Sequence, residues 1–416
     1  MDMKKMLALL LAAALLAAAL SGCVQKAAAV TTSELTAGVK ADAPEAGALT
    51  DADAAAMTGF GVRLLQKTDA GKTRLLSPVS VLYALGMTAN GAGGETKTQL
   101  EQAFGLSADE LNRAALAWRT AAADGPLQLA DSVWLRDSGE LQVKENFLRT
   151  DVAYYDAEVY KAAFDGSTLN AVNAWVKEHT DGMIPSILDE MPDGAMLFLI
   201  NAVAFDDKWQ TPYEPEQVSD GVFTAADGTA RTVTMMQSSE TKYLEDGQAE
   251  GFIRYYKEGG YAFAALLPDE GVSIDDYIAS LTGAGLRETL QNAAETEVDV
   301  TLPKFSSDYS AELSDSLKAL GVTDAFDGDR ADFSAMGQSG EGRLFLSRVL
   351  HKTHIEVDEQ GTKAAAVTAA VMTATACAPD DQPKAVVLDR PFVYMILDTN
   401  TMLPVFLGAV YDIANS

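Results

Sequence analysis

Glu359-Gln360-Gly361-Thr362-Lys363 runs into Ala364–Ala378, a stretch of Ala, Thr and Val with one Met and one Cys, without charge or aromatic ring. Pro379-Asp380-Asp381 ends it. Ala-rich sequence favours helix by intrinsic propensity, so a buried helix or a low-complexity linker is the plain reading. Its neighbours argue for another. Before it, Thr353, Ile355 and Val357 alternate with Lys352, His354, Glu356 and Asp358; after it, Pro391–Leu397 is a strand-like apolar run. Small uncharged residues at every second position would let the segment slide into the middle of an existing sheet. With Thr362, Ala364, Ala366, Thr368, Ala370, Met372 and Ala374 facing inward, no charge is buried, whereas the opposite register buries Lys363. Burial alone favours one insertion register.

Outward from this stretch, helical signals come first and strand signals later. Ser77-Pro78 opens the apolar run Val79–Met87 as an N-cap followed by proline at the first helical position. Thr168–His179 reads as a helix stopped near Gly182. Val298, Val300 and Leu302 alternate with Asp299 and Thr301, and Leu266-Leu267 closes a run at Pro268. Pro391–Leu397 and Met402–Val410 flank the turn-like Asp398-Thr399-Asn400. No internal repeat interrupts residues 51–416, so they read as a single domain of α+β class.

The chain has 416 residues, is 48% hydrophobic and carries a formal net charge of −29. That acidity argues against a nucleic-acid binder, which needs basic surface to displace counterions. It equally disfavours adhesion to anionic lipid through protein charge. Two cysteines, Cys23 and Cys377, exclude a disulfide scaffold and a four-cysteine zinc site. The amino terminus carries Lys4 and Lys5, then the apolar run Met6–Leu20, then Leu20-Ser21-Gly22-Cys23. The run is shorter than the roughly 20 residues a helix needs to span a bilayer, and reads as a secretory signal over residues 1–22. Leu-Ser-Gly-Cys resembles the lipobox of bacterial lipoproteins, which predicts lipidation of Cys23; an ordinary signal with a chance cysteine is the alternative. Residues 23–50 have almost no large apolar side chains and are expected to form a flexible tether reaching roughly 30 Å. The expected location is a bacterial surface or envelope, anchored by lipid and facing outward, or secreted if the lipobox is unused.

Catalytic constellations are absent from the sequence: no Walker loop, no GxGxxG, no HExxH, no GxSxG. Gly337-Gln338-Ser339-Gly340-Glu341 only approaches the last and reads as a surface loop. His351 and His354 stand three apart in a strand pattern, so they point to opposite faces and cannot share a metal. His351 falls on the apolar row and is read as a buried, hydrogen-bonded side chain. His179, at a helix end, shows no partner in the sequence. No enzyme, no metal and no cofactor is expected.

Read together, the residues resemble the serpins over nearly all of residues 51–416. The resemblance rests on motifs in order: Ser77-Pro78-Val79-Ser80, Gly91-Ala92-Gly93-Gly94-Glu95-Thr96, Asn173-Ala174-Trp175-Val176, Asn201-Ala202-Val203 with Trp209, Met235-Met236, Leu302-Pro303-Lys304-Phe305, Ala331-Asp332-Phe333-Ser334, His351-Lys352, Glu359 to Ala366, and Asp389-Arg390-Pro391-Phe392. It implies a large central sheet, two smaller sheets, eight or nine helices and an exposed reactive loop at about 359–385. It also implies an inhibitor that acts as a suicide substrate, trapping a serine protease as an acyl-enzyme while the cut loop inserts into the central sheet. By the same resemblance Glu359, Gly361, Thr362, Ala364, Ala365 and Ala366 form the loop hinge. Ser77, Ser80, Asn201 and His351 form a polar shutter beneath the sheet, and Trp209 lies where the hinge first enters. Counting along the loop places the scissile bond at Thr375-Ala376, within one or two positions. A small residue there suits elastase-like or subtilisin-like enzymes.

Cys377, beside that bond, reads as a chance small residue or a redox-sensitive handle. The segment Ala108–Gly125 carries only Arg113 and Arg119 as basic residues, so no glycosaminoglycan partner is expected. The expected partners are serine proteases, met by a monomer. A non-inhibitory relative and a solute-binding lipoprotein remain as alternatives; an intact hinge argues against the first, and residues 359–378 against the second.

Overall fold

The computed structural model describes residues 32–41, 44–123, 125–137, 139–362 and 384–413. Among these it holds nine α-helices and three sheets, the α+β architecture expected. The folded unit begins at Thr32, not near Asp51. Part of the expected tether is a strand: Ser33 and Glu34 pair antiparallel with Lys161 and Tyr160. The Leu35 N–H continues the ladder to the Val159 carbonyl at 2.7 Å, and Thr36 is buried. A sheet edge offers unpaired main-chain groups to any extended chain. Such pairing needs no large side chain, so composition cannot reveal it.

Local signals place the helices. Ser77 caps Pro78–Asn90, its Oγ accepting from the Ser80 N–H. Thr50 with Asp53, Ser107 with Glu110 and Asp165 with Thr168 form reciprocal capping boxes for Asp51–Lys67, Ala108–Ala122 and Gly166–His179. The last helix ends, as expected, ahead of Gly182 at φ +79°.

The eight-stranded mixed sheet runs in the order Ser33–Glu34, Glu158–Ala162, Leu127–Arg136, Leu197–Phe205, Leu346–Val357, Gly361–Thr362, Asp207–Lys208. Phe305–Glu312 is also paired to Leu346–Val357. In the nine-stranded sheet, the sixteen-residue strand Ala230–Glu245 pairs with Val218–Thr224, Ala249–Tyr255 and Ala294–Pro303. Tyr261–Pro268, Phe392–Asp398 and Leu403–Val410 follow the predicted apolar runs.

Leu197–Phe205 is buried along its whole length because both faces are covered. Leu197, Leu199, Val203 and Phe205 join the main core with helix Pro78–Asn90. Phe198, Ile200 and Ala202 pack with Val172, Trp175 and Val176 of helix Gly166–His179. A strand covered on two faces shows no alternation in sequence, and its polar Asn201 is fully buried.

Candidate functional site

The two central strands of the eight-stranded sheet, Leu197–Phe205 and Leu346–Val357, run parallel and are hydrogen-bonded to each other. Their register goes from Leu346 opposite Leu197 to His354 opposite Ala204, with one irregularity near Arg348. The seam between them is closed. Above it a two-residue strand has begun: Gly361 and Thr362 pair antiparallel with Lys208 and Asp207, and Val357 pairs with Thr362. A chain that continued downward from Thr362 would run antiparallel to both neighbours, the direction a strand inserted between them must take.

Gly361 belongs to the hinge that the resemblance implies. Its φ lies outside the left-handed region, and the structural demand is space. A methyl group there would lie 2.1 Å from the Asp207 carbonyl oxygen and 2.6 Å from Lys208 Cα, both main chain. Thr362 is fully buried, and its hydroxyl shares a 2.6 Å hydrogen bond with the Tyr256 phenol.

Halfway down the seam, Ser77, Ser80, Asn201 and His351 come together as one buried cluster, joined by a residue not singled out in the sequence, Asp131. His351 Nε2 accepts from the Ser77 N–H at 3.2 Å, so the neutral ring carries its proton on Nδ1 and donates to Asn201 Oδ1. Asn201 Nδ2 donates to Ser80 Oγ and, at 2.6 Å, to Asp131 Oδ1. The Ser80 hydroxyl donates to the same Asp131 Oδ1 at 2.8 Å. Asp131, Asn201 and His351 sit side by side on three adjacent strands. The chain of donors therefore crosses the seam through the His351–Asn201 bond and ends on the Asp131 carboxyl group.

Burial governs the charges of this cluster. It pushes His351 down to about 3, keeping the ring neutral. It pushes Asp131 up to about 8, against the hydrogen bonds from Ser80 and Asn201. Asp131 Oδ2 is buried with no partner among the described residues. One signal was available in the sequence: Asp131 is the only charge in the otherwise uncharged run Leu127–Leu135.

At the upper end of the seam, Trp209 lies under the hinge. Its ring stacks on Tyr256 at 4.6 Å, its Nε1 donates to the Asp358 carbonyl at 2.8 Å, and its N–H reaches the Gln360 carbonyl at 2.9 Å. The Arg254 guanidinium sits 5.0 Å from the Trp209 ring and 4.1 Å from the Tyr213 ring, and pairs with Glu240. Lys304 Nζ binds Glu359 Oε2 at 2.9 Å. Burial works to raise the Glu359 carboxyl, but its bonds to Lys304 and main chain and the Lys304 charge outweigh it, leaving it below its ordinary value. Burial likewise works to lower Lys304, and Glu359 turns the balance so that its ammonium sits above its ordinary value.

Ala364, Ala365, Ala366, Thr375, Ala376, Cys377 and Cys23 lie outside the described residues. His354 pairs with Asp308 at 2.5 Å, while His351 is buried in the cluster, so the two imidazoles serve different faces. His179, for which the sequence shows no partner, binds Glu158 at 2.8 Å through Nε2 and stacks on Trp175 at 4.3 Å. No group of metal-ligating side chains occurs among the described residues.

Comparison with known proteins gives a consistent result. A family profile described as serpin (serine protease inhibitor) matches residues 55–413. Serpin-ZXA of Oryza sativa subsp. japonica is 32% identical over 368 residues, covering 82% of this chain and 91% of that protein. The native-state structure of tengpin, a thermophilic serpin, superposes with a TM-score of 0.87 at 39% identity, covering 92% of this chain and all of that one. The latent-state structure of tengpin gives 0.78 at 37% identity, over 89% of this chain.

Proposed function

The chain belongs to the serpin family, and from that premise we propose that it is an inhibitory member, a suicide substrate that covalently traps serine proteases. The observation that carries this reading is the state of the central seam. Leu197–Phe205 and Leu346–Val357 are paired directly, while Gly361 and Thr362 already occupy the head of the place between them. A sheet that is closed below and started above is poised to take in one more strand.

In this reading a protease serine attacks the carbonyl of Thr375, or of a residue one or two positions away. The amine of the following residue leaves, and the cut strand inserts downward from Thr362 before water can hydrolyse the ester. The inhibitor supplies no acid, base or nucleophile; the driving energy is that of completing the sheet, held back by a kinetic barrier. The insertable row Thr362, Ala364, Ala366, Thr368, Ala370, Met372 and Ala374 buries no charge. The small residues around the proposed bond fit elastase-like or subtilisin-like specificity pockets. We further propose that residues 1–22 are a signal, that Cys23 is lipidated, and that the protein acts as a monomer on the outer face of a bacterial envelope. The Leu-Ser-Gly-Cys motif supports the anchor.

Mixing the protein with a panel of serine proteases and running denaturing gels tests the inhibitory reading. A boiling-resistant complex is expected, and mass spectrometry of the released carboxy-terminal fragment identifies the bond. Cleavage by every protease without a covalent band would refute it. Incorporation of labelled fatty acid, abolished by Cys23→Ser, tests the anchor.

A further inference from the structure

We infer that Asp131 is a positioning residue for opening of the central seam: its proton holds the closed arrangement, and loss of that proton loosens the seam and speeds strand insertion. This rests on the insertion reading above.

The geometry sets the argument. To admit a strand between Leu197–Phe205 and Leu346–Val357, the His351–Asn201 bond across the seam must break. Asn201 is held from the other side by Asp131 Oδ1, which also takes the Ser80 hydroxyl. Both donors converge on one carboxyl oxygen, and Oδ2 is buried with no partner among the described residues. An ionised carboxylate with one oxygen buried and reached by no protein donor is unfavourable in a closed site. The proton removes that penalty.

Among the described residues no unopposed cation removes it instead. Helix Pro78–Asn90 presents Ser80 and Tyr83, whose phenol is pushed up chiefly by burial with Asp131 contributing. Strand Leu197–Phe205 presents Asn201, and strand Leu346–Val357 presents neutral His351 one residue beyond. The remaining groups near Asp131 line a cavity of about 580 Å³ that Asp131 also borders: Tyr155, Arg119, Asp156, Glu158 and His179. The Arg119 guanidinium is paired with Asp156 at 3.5 Å and the His179 ring is hydrogen-bonded to Glu158 at 2.8 Å, so neither is committed to Asp131.

That cavity also gives the direction of the effect. Two consequences of ionisation oppose each other. A charged acceptor polarises Asn201 and strengthens its bond to His351, by about 10–30% of one hydrogen bond. Relief of the buried charge, once the strands shift and water in the cavity reaches Oδ2, is larger. Each unit by which opening lowers the carboxyl's proton affinity accelerates the ionised form about tenfold. Insertion should therefore be faster with the proton off.

The test uses the full chain and a blocked synthetic peptide copying residues 361–374, whose annealing into the sheet is followed by native gel at fixed peptide concentration from pH 6 to 9.5. No protease takes part, so its own pH dependence does not enter. The expected result is a rise of about tenfold with an inflection near 8. The rise should be lost in Asp131→Asn, retained in Asp131→Glu, and retained in Asp151→Asn, which removes the other buried carboxyl with an unpartnered oxygen among the described residues. A pH-independent rate, a rise that persists in Asp131→Asn, or one abolished by Asp151→Asn overturns the inference. Should the Asp131 variants fail to fold, the wild-type and Asp151→Asn profiles still decide it. No insertion at any pH would sink the insertion reading and this inference with it, whereas insertion at a pH-independent rate sinks this inference alone.

Discussion

The two ends of one seam are built from different chemistry. At the top, Trp209, Tyr256, Tyr213 and Arg254 form an aromatic and cationic stack, and Lys304–Glu359 is a half-exposed ion pair; the strands are already parted by Gly361 and Thr362. In the middle, Ser77, Ser80, Asp131, Asn201 and His351 form a buried polar chain, and the strands touch. A half-exposed ion pair such as Lys304–Glu359 exchanges with water at little cost. A buried hydrogen bond that breaks without water leaves two unsatisfied groups, at about 1–3 kcal/mol each. The contrast places the resistance to opening in the middle and leaves the top as the point where insertion starts.

The strongest way to break this comparison is to stop insertion at its first residue. Thr362→Arg puts a charge into a fully buried site against Tyr256. The covalent complex should fall by on the order of tenfold or more, with the protein cleaved as an ordinary substrate; retained inhibition on a denaturing gel would show that the top does not lead.

The next test separates the middle by pH. Asp131, at about 8 in the folded protein and near 3.9 unfolded, gives the folded state an extra proton between about pH 4 and 8, so its contribution falls as pH rises through that window. His351, at about 3 folded and near 6.5 unfolded, gives the unfolded state an extra proton between about pH 3 and 6.5, so its contribution falls as pH drops. The slopes cancel between about 4 and 6.5, leaving Asp131 alone above. Relative to Asp131→Asn, urea unfolding should show a loss of about 2 kcal/mol between pH 6.5 and 8. A flat difference would mean that the carboxyl is not the buried acid of the middle.

A smaller effect is expected at the wedge. Gly361→Ala drives a methyl into the Asp207 carbonyl and should cost about 1–3 kcal/mol, read as faster amide exchange at Thr362. If exchange is unchanged, the wedge has other support. Smallest is Lys304→Ala. It removes a half-exposed pair, so the urea midpoint should move by no more than about 1 kcal/mol; a larger shift would place strength at the top.

How much was readable beforehand depended on range. Ser77-Pro78 announces its helix because an N-cap acts within one turn, and the capping boxes at Thr50, Ser107 and Asp165 are equally local. His351 could be assigned to a buried row from alternation alone, and it is buried. Asp131 interrupts an uncharged run, but nothing near it in the sequence says what it meets. Its partners Ser80 and Asn201 are 51 and 70 positions away. Arg254, Tyr256 and Lys304 likewise meet partners that their neighbours in sequence do not announce: Glu240, Thr362 and Glu359. Glycine at 361 was legible as a requirement, but the reason for it, a main-chain approach, was not.

The sequence by itself determined which segment can be inserted and in which register, because period-two burial and the exclusion of Lys363 from an interior are properties of neighbouring residues. It also determined the helix starts, which a few adjacent side chains decide. Only the tertiary structure decided that the seam is closed below and parted above, that Ser33–Glu34 is a strand of the sheet, and that the Asp131 carboxyl group anchors the buried chain. Each of these depends on groups brought together from distant parts of the chain, as far as 274 positions between Ser77 and His351. No local pattern carries the identity of a partner that the fold alone supplies.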